Sequence, residues 1–365
     1  SPSLPTRKAG APIPLSRAQQ RLWLQEQGAA PSARYNMAGA VDLRGKLDRV
    51  ALERALGALV TRHEILRTTF HESTGPHAAV QVVGPVPETV LEILEATSSL
   101  GYGGRADADH TVLRRELLSI AMVPMELDRG PLARFLLLEL GPDHFGLLLV
   151  IHHILGDGWS FGILASELSS LYSGDSELEP LPMQFADYAA VDAQLSLDQA
   201  QLAAWLANLA GSAALNHPLE LPTIRPRPPV PSGAGDLITR GVPPAVAEAA
   251  RVYAKQTGSS LHNTLLASFG ALIYHLTQES DLVIGAVLAG RAQPEVQDLL
   301  GFLVTALPVR LQLDPSDSFE GVLAKTKEAM GFVQTHQAIG LDVLAEQLCG
   351  EAHRASGALP LFRIG

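Results

Sequence analysis

The sequence of 365 residues contains one cysteine, Cys349. A single thiol excludes an intramolecular disulfide, which suits a reducing cytoplasm, and Cys349 has no companions at zinc-ligand spacing. Basic residues are outnumbered, 27 Lys and Arg against 38 Asp and Glu, for a formal net charge of −11 with no basic cluster. Nucleic acid is therefore not an expected partner, whereas an acidic protein would need only a local basic patch. No apolar run reaches membrane-spanning length. Residues 1–13 carry Arg7 and Lys8 with no apolar stretch behind them, so no signal peptide is expected there. No Gly-x-Ser-x-Gly elbow occurs and no cysteine is placed as an acyl acceptor. The chain opens on Ser1 rather than methionine, and the expectation is a piece excised from something longer.

What is present is an ordinary globular composition, 47% hydrophobic and 18% charged, long enough for two lobes with their own cores. Residues 14–27 read as an amphipathic helix with Ser16 as N-cap and Leu22 and Trp23 for burial. A strand is expected around Ala38, Val41 and Leu43. A helix capped by Asp48 follows, with Val50, Ala51, Ala55, Ala58 and Leu59 on one face, and the stretch 61–70 ends as a strand. The Gly-rich stretch 98–109 reads as a loop. Residues 133–140 and 145–152 read as a hairpin joined by Gly141-Pro142-Asp143.

Beyond Leu171 the chain turns polar and Pro-bearing, and a lobe boundary is expected near residue 175. Residues 224–241 read as a long loop. Helices are expected over 246–255 and 260–277, the second with Leu261, Leu265, Phe269, Leu272 and Leu276 on its stripe, and further helices over 319–333 and 342–348. Residues 282–287 read as a buried strand, and 302–313 as another interrupted at Pro308. There is no convincing tandem repeat. The alternation of helix and strand in both halves argues for two α/β lobes.

The most informative stretch is His152-His153-Ile154-Leu155-Gly156-Asp157-Gly158-Trp159-Ser160, placed directly after the apolar run 147–151. A strand thus delivers two histidines into a Gly-Asp-Gly turn, with Ser160 in front of Ile163, Leu164, Leu168 and Leu171 at helical spacing. Three readings of the pair are open: a base, a metal site, or two histidines satisfied in the core. Neighbours on a strand point to opposite faces, so the two cannot easily share one metal. Ser160 reads more simply as a helix N-cap than as a nucleophile. Asp157 has the residue type to orient His153 as in a catalytic triad.

The pattern HHxxxDG followed by Trp159-Ser160 resembles the core motif of condensation domains of nonribosomal peptide synthetases, members of the chloramphenicol acetyltransferase superfamily. Other segments resemble further family motifs in the family order. These are residues 16–23 (SRAQQRLW), 62–68 (RHEILRT), 184–189 (QFADYA), 301–304 with Arg310, His336-Gln337 and Pro360-Leu361-Phe362. The resemblance implies an α/β fold of two chloramphenicol-acetyltransferase-like lobes in a V-shaped pseudodimer, with residues 1–175 and 176–365 as the lobes and the active site in the tunnel between them. Two departures stand out: Thr305 and Ala306 replace the family's Asn and Thr, and the chain stops at Gly365 where family domains continue, so that elements of the second lobe are expected to be missing.

The implied reaction is amide formation, in which the amine of an acceptor aminoacyl thioester attacks a donor acyl thioester. Both are delivered on the 4′-phosphopantetheine arms of carrier proteins, and the domain itself holds no cofactor and no metal. The implied partners are an upstream donor carrier, a downstream acceptor carrier and an adjacent adenylation domain, with the excised domain a monomer in the cytoplasm. His153 is expected over the reacting amine, as base or as positioning group, with His152 beside it, structural by its direction along the strand. The resemblance gives Asp157 a salt bridge to Arg291, and Gly158 a close approach of backbone or thioester, its amide toward the substrate. Arg62, Arg67, Trp159, Ser160 and Thr305 are candidates for the cleft. DG followed by WS resembles condensation rather than epimerisation domains, the intact histidines argue against heterocyclisation domains, and SRAQQRLW is closest to the subtype taking an L-configured donor. Two other readings stay open: an acyltransferase with a soluble acceptor, and a condensation-like module that only recruits a partner.

Overall fold

The computed structural model describes residues 7, 10–27, 32–75, 77–95, 106–174, 178–212, 215, 219–223, 235–349 and 361–365. The chain forms two compact units, 1–196 with 289–304, and 197–288 with 305–365. The division differs from a single boundary near residue 175. The chain crosses from one unit to the other three times because Val296, Leu299, Leu300, Phe302 and Leu303 are buried in the core of the first unit.

In the first unit the elements are β1 (Ile13–Pro14), α1 (Arg17–Glu26), β2 (Asn36–Arg44), α2 (Arg49–Arg62), β3 (Thr68–Glu72), β4 (Ala79–Val83), β5 (Leu91–Glu95), α3 (Ala106–Ala121), β6 (Ala133–Gly141), β7 (His144–His152), α4 (Gly158–Ser173) and α5 (Phe185–Asp192). One sheet has the order β1-β4-β3 and the other β2-β7-β6-β5. Strand β7 is interior, antiparallel to β2 along its whole length, with Asn36 opposite His152, and to β6 from His144 to Ile151. Its unbroken apolar run follows from burial on both faces. Leu147 and Val150 join the main core with Leu56, Leu59, Phe70 and Phe185. Leu148 joins Leu136, Leu138, Leu140 and Leu113 in a separate cluster.

Ser16 caps α1 in a reciprocal capping box with Gln19, and Asp48 caps α2 through the Ala51 N–H. On α2 the buried face is Ala51, Leu52, Ala55, Leu56, Leu59 and Val60; Val50 is 79% exposed and not part of it. Residues 98–105 lie outside the described set, while 106–109 are the start of α3 rather than loop.

The second unit comprises α6 (Gln199–Leu209), α7 (Pro244–Gln256), α8 (Leu261–Thr277), β8 (Asp281–Leu288), β9 (Thr305–Gln312), α9 (Phe319–Thr335) and α10 (Leu341–Cys349). Strands β8 and β9 pair antiparallel, and β9 runs through Pro308, opposite Gly285, instead of breaking there. Trp205, Ile284, Leu307, Val309 and Leu344 anchor this core.

Helix α8 departs from its leucine stripe. Leu261, Leu265, Leu272 and Leu276 are exposed, and the buried face is Thr264, Ala267, Gly270 and Ile273. Close approach is the reason. A Cβ at Gly270 would lie 2.8 Å from Leu311 Cδ1 on β9, so the helix meets the sheet with its small residues and turns its bulky ones away.

Of the 224–241 loop, residues 224–234 lie outside the described set and 235–241 have no regular structure. Among the described residues no helix is long and apolar enough to cross a membrane.

Candidate functional site

The histidine pair straddles the end of β7. His152 is the last strand residue and is completely buried. His153 opens a three-residue 3-10 turn, His153–Leu155, and is half-buried. Their different environments give them different chemistry. The His152 Nδ1 accepts the Ile154 N–H at 3.2 Å, so the ring is neutral with its proton on Nε2. Burial, reinforced by the neighbouring His153, lowers its pKa to about 4.

A histidine held neutral in the fold but titrating near 6.5 when unfolded makes stability depend on pH. Between these values the unfolded chain binds more protons, so stability falls as pH falls from about 6.5 to about 4, by roughly 3 kcal/mol for this group. His152→Asn retains an acceptor for the Ile154 N–H and does not titrate. Its loss of stability between pH 6.5 and pH 4 is expected to be correspondingly shallower in denaturant titrations.

In His153 the Nδ1 lies 2.8 Å from the Gly156 carbonyl oxygen. A carbonyl only accepts, so Nδ1 carries the proton, and in the neutral ring Nε2 presents a lone pair. The backbone N–H of His153 donates to the Tyr35 carbonyl at 2.7 Å. The imidazole packs edge-on against Phe302, with ring centroids 4.7 Å apart and an interplanar angle of 61°.

Asp157 does not orient His153. Its fully buried carboxylate accepts from Arg291 at 2.8 and 3.1 Å, from the Leu303 and Val304 N–H groups at 3.1 and 3.3 Å, and from the backbone and hydroxyl of Ser160 at 3.0 and 2.9 Å. Burial alone would raise its pKa; the hydrogen bonds and positive charge of Arg291, with those from Leu303 and Ser160, outweigh burial and hold it below the ordinary carboxylate value. Arg291 also donates to the carbonyls of Ala289, Leu299 and Gly301. This one carboxylate therefore ties the start of α4 to the 289–304 segment within the first unit.

The N-cap of α4 is Asp157, not Ser160. Asp157 is the extended residue preceding the helix, and Ser160 is its capping-box partner, with its Oγ accepting the Asp157 N–H at 3.1 Å. The Gly301 carbonyl lies 3.2 Å from the same Oγ and shares its one proton with the Asp157 carboxylate. The Ser160 oxygen is thus bonded to its own turn and to the facing segment.

Gly158 is exposed, and a Cβ there would meet no described atom within 4 Å; the polypeptide itself does not require glycine at this position. Gly301 is the opposite case. A Cβ there would fall 1.8 Å from the ring of Phe185, a side chain 1% exposed. Gly301→Ala must displace that ring or the segment bearing Phe302. Thermal unfolding is expected to show a loss of about 1–3 kcal/mol.

The remaining candidates fall in different places. Trp159 is 54% exposed, donates from Nε1 to the Gln297 carbonyl at 3.2 Å and lies 5.7 Å from the Arg291 guanidinium. Arg62 and His63 both bond the carboxylate of Glu167, His63 at 2.6 Å, and thereby join α2 to α4. Arg67 donates to the carbonyls of Val60 and Gly84. These two arginines brace the scaffold. Thr305 belongs to the second unit, where it opens β9 opposite Leu288. Arg310 pairs with Asp281, and the His336 carbonyl accepts from Trp205 Nε1.

Sequence reasoning did not assign roles to Phe302, Tyr35 or Gln19. The Ser16-x-x-Gln19 spacing signals a capping box, but nothing in that spacing reveals that the Gln19 amide also reaches the Ile154 carbonyl, 3.0 Å away. Among the described residues no group of three or more His, Cys, Asp or Glu could hold a metal ion.

Residues 11–363 match the family model of the condensation domain. One of the linear gramicidin synthase proteins of Brevibacillus parabrevis is 36% identical over 360 residues, which is 96% of this chain and 4% of that protein. Malpinin synthetase of Mortierella alpina is 34% identical over 360 residues, again 96% of this chain and 4% of that protein. The chain thus spans only a small fraction of the length of these relatives. Among solved structures, the X-domain in complex with OxyB from teicoplanin biosynthesis superposes with a TM-score of 0.78 at 26% identity, covering 95% of this chain and 76% of that one. The first condensation domain of the CDA synthetase gives 0.75 at 22% identity, covering 93% and 80%, a likeness of fold. With its mixed α/β architecture, its histidine turn after β7 and a family match spanning nearly its whole length, the chain belongs to the condensation-domain family.

Proposed function

We propose that the chain catalyses amide formation in nonribosomal peptide biosynthesis. The amine of an acceptor aminoacyl thioester attacks the carbonyl of a donor acyl or peptidyl thioester, and the amide forms as the donor thiol leaves. The observation that carries this reading is the placement of His153: its Nδ1–H is spent on the Gly156 carbonyl, so that the neutral form of this half-buried ring presents Nε2 as an acceptor. Such a nitrogen takes the proton that the attacking amine must lose, or holds that amine in line. An α-amine titrating near ~8 is already partly neutral, so alignment of the two thioesters supplies a large share of the acceleration. The tetrahedral oxyanion needs donors, and a helix start leaves first-turn N–H groups open for that purpose, here from Gly158 at the head of α4.

The donor and acceptor arrive on phosphopantetheine arms of an upstream and a downstream carrier protein in the cytoplasm, beside an adenylation domain. The SRAQQRLW segment at 16–23 supports an L-configured donor. Asp157 and Arg291 act by holding the turn and the 289–304 segment, not by touching the reacting atoms.

The test is single-turnover condensation. Donor and acceptor aminoacyl carriers from a small acyl panel, with both donor configurations, are mixed with the protein, and the carrier-bound chain is followed by mass spectrometry. Dipeptide on the acceptor carrier from L-donors is expected. Product on free amine but not on the carrier would replace this reading with an acyltransferase of soluble acceptors. A second reading draws on the solved complex of an X-domain with OxyB, a protein of similar fold bound to another protein. In that case the chain recruits a partner and turns nothing over, and the assay gives no product although the carriers are charged.

A further inference from the structure

Gln19 lies in the first turn of α1, 135 residues before Ile154, and its side chain is completely buried. Its Oε1 accepts the Ser16 N–H at 3.1 Å, and its own N–H donates to Ser16 Oγ at 3.2 Å. Glutamate would complete that capping box equally well. The amide nitrogen does something a carboxylate cannot: Nε2 donates to the carbonyl of Ile154 at 3.0 Å. Ile154 is the middle residue of the turn that carries His153.

That turn is short, and it is closed by one long bond, Gly156 N–H to the His153 carbonyl at 3.3 Å. From the strand side it is held by the Tyr35 carbonyl and by His152 Nδ1. Among the described residues, Gln19 is the side chain outside the motif that bonds a carbonyl of the turn, that of Ile154. Rotation of the peptide after Ile154 would swing the Gly156 carbonyl away from His153 Nδ1. We infer that Gln19 is a positioning residue: by fixing the Ile154 carbonyl it keeps the Gly156 carbonyl on His153 Nδ1, and so keeps His153 Nε2 bare. Its consequence for turnover rests on the proposed role of His153 in condensation; its consequence for the tautomer does not.

The full chain is labelled with ¹⁵N-histidine, and the ring nitrogens of His153 are read by long-range proton–nitrogen correlation at alkaline pH, with assignment from the His153→Ala spectrum. Three variants are compared with the parent. Gln19→Met keeps the length and removes the donor. Gln19→Leu removes the donor with a different apolar shape, which preserves the test should the methionine variant fail to fold. Ser16→Ala weakens the cap of α1 and leaves Nε2 on Ile154.

The parent and Ser16→Ala are expected to show separate signals for a protonated Nδ1 and a bare Nε2. In both Gln19 variants the two signals are expected to converge, as the Nδ1–H preference is lost. Single-turnover condensation is expected to fall about 10–100-fold in the Gln19 variants with unchanged carrier affinity. A parent-like His153 tautomer in a folded Gln19 variant overturns the proposal, as does an equal change in Ser16→Ala. If no protein in the set condenses any substrate, the condensation reading fails while the tautomer result still decides the role of Gln19.

Discussion

Asp157→Ala is expected to destabilise the first unit by about 3–5 kcal/mol, the range for removing one partner of a buried ion pair. The size of the loss follows from what would be stranded. Arg291, with a side chain 2% exposed, would keep its charge with no counter-ion, and the Leu303 and Val304 N–H groups would lose their acceptor. An unmet buried donor costs roughly 1–3 kcal/mol on its own, so the upper part of the range is the more realistic. For a unit of this size the melting temperature should fall by roughly 6–20 °C, and the soluble yield with it. Replacing both charges by apolar residues, Asp157→Leu with Arg291→Met, should recover only part of the loss, because the two backbone donors remain unmet. Thermal unfolding of the single and double variants checks this. A stable Asp157→Ala protein that had lost only its rate would overturn the structural role and restore a triad-like one.

His153→Ala has the largest expected effect on turnover. Loss of a positioned base costs about 10²–10⁴-fold, and the half-buried ring contributes less to the core than its fully buried neighbour His152. The pH dependence separates the two ways in which His153 can act. An amine titrating near ~8 goes from about one tenth neutral at pH 7 to about nine tenths at pH 9. If His153 removes the proton, the variant should regain about tenfold over that interval relative to the parent. If His153 mainly holds the amine in place, the deficit is the same at both pH values. Single-turnover rates at the two pH values, with melting curves to confirm folding, give the answer.

The elements most legible in the sequence are those with strong local signals. The apolar run before His152 reads as a strand because its burial needs no knowledge of what covers it. Ser16 and Asp48 read as helix caps because capping is a contact across three residues. Ser160 also reads as a cap, yet Asp157 caps α4: aspartate and serine share that preference, and only the extended backbone at Asp157 selects between them. On α8 the leucine stripe points to the wrong face. Hydrophobic spacing reports which residues lie together, whereas the choice of buried face is made by Gly270 and Ala267, which allow β9 to approach.

The family, the alternation of helix and strand, and the turn that presents two histidines are legible in residue types at short spacing. Short spacing does not tell the two rings apart; their surroundings in the fold do. His152 is neutral because it is buried with its Nδ1 on the Ile154 N–H, and in the neutral ring of His153 the bare nitrogen is Nε2 because the Gly156 carbonyl takes Nδ1–H. The assignment of residues 289–304 to the first unit and the reach of Gln19 to Ile154 were likewise settled only in three dimensions. The contacts of Gln19 with Ile154 and of Asp157 with Arg291 span well over a hundred positions, and the energy of a buried hydrogen bond or ion pair depends on which groups the fold brings within about 3 Å and on the water it excludes.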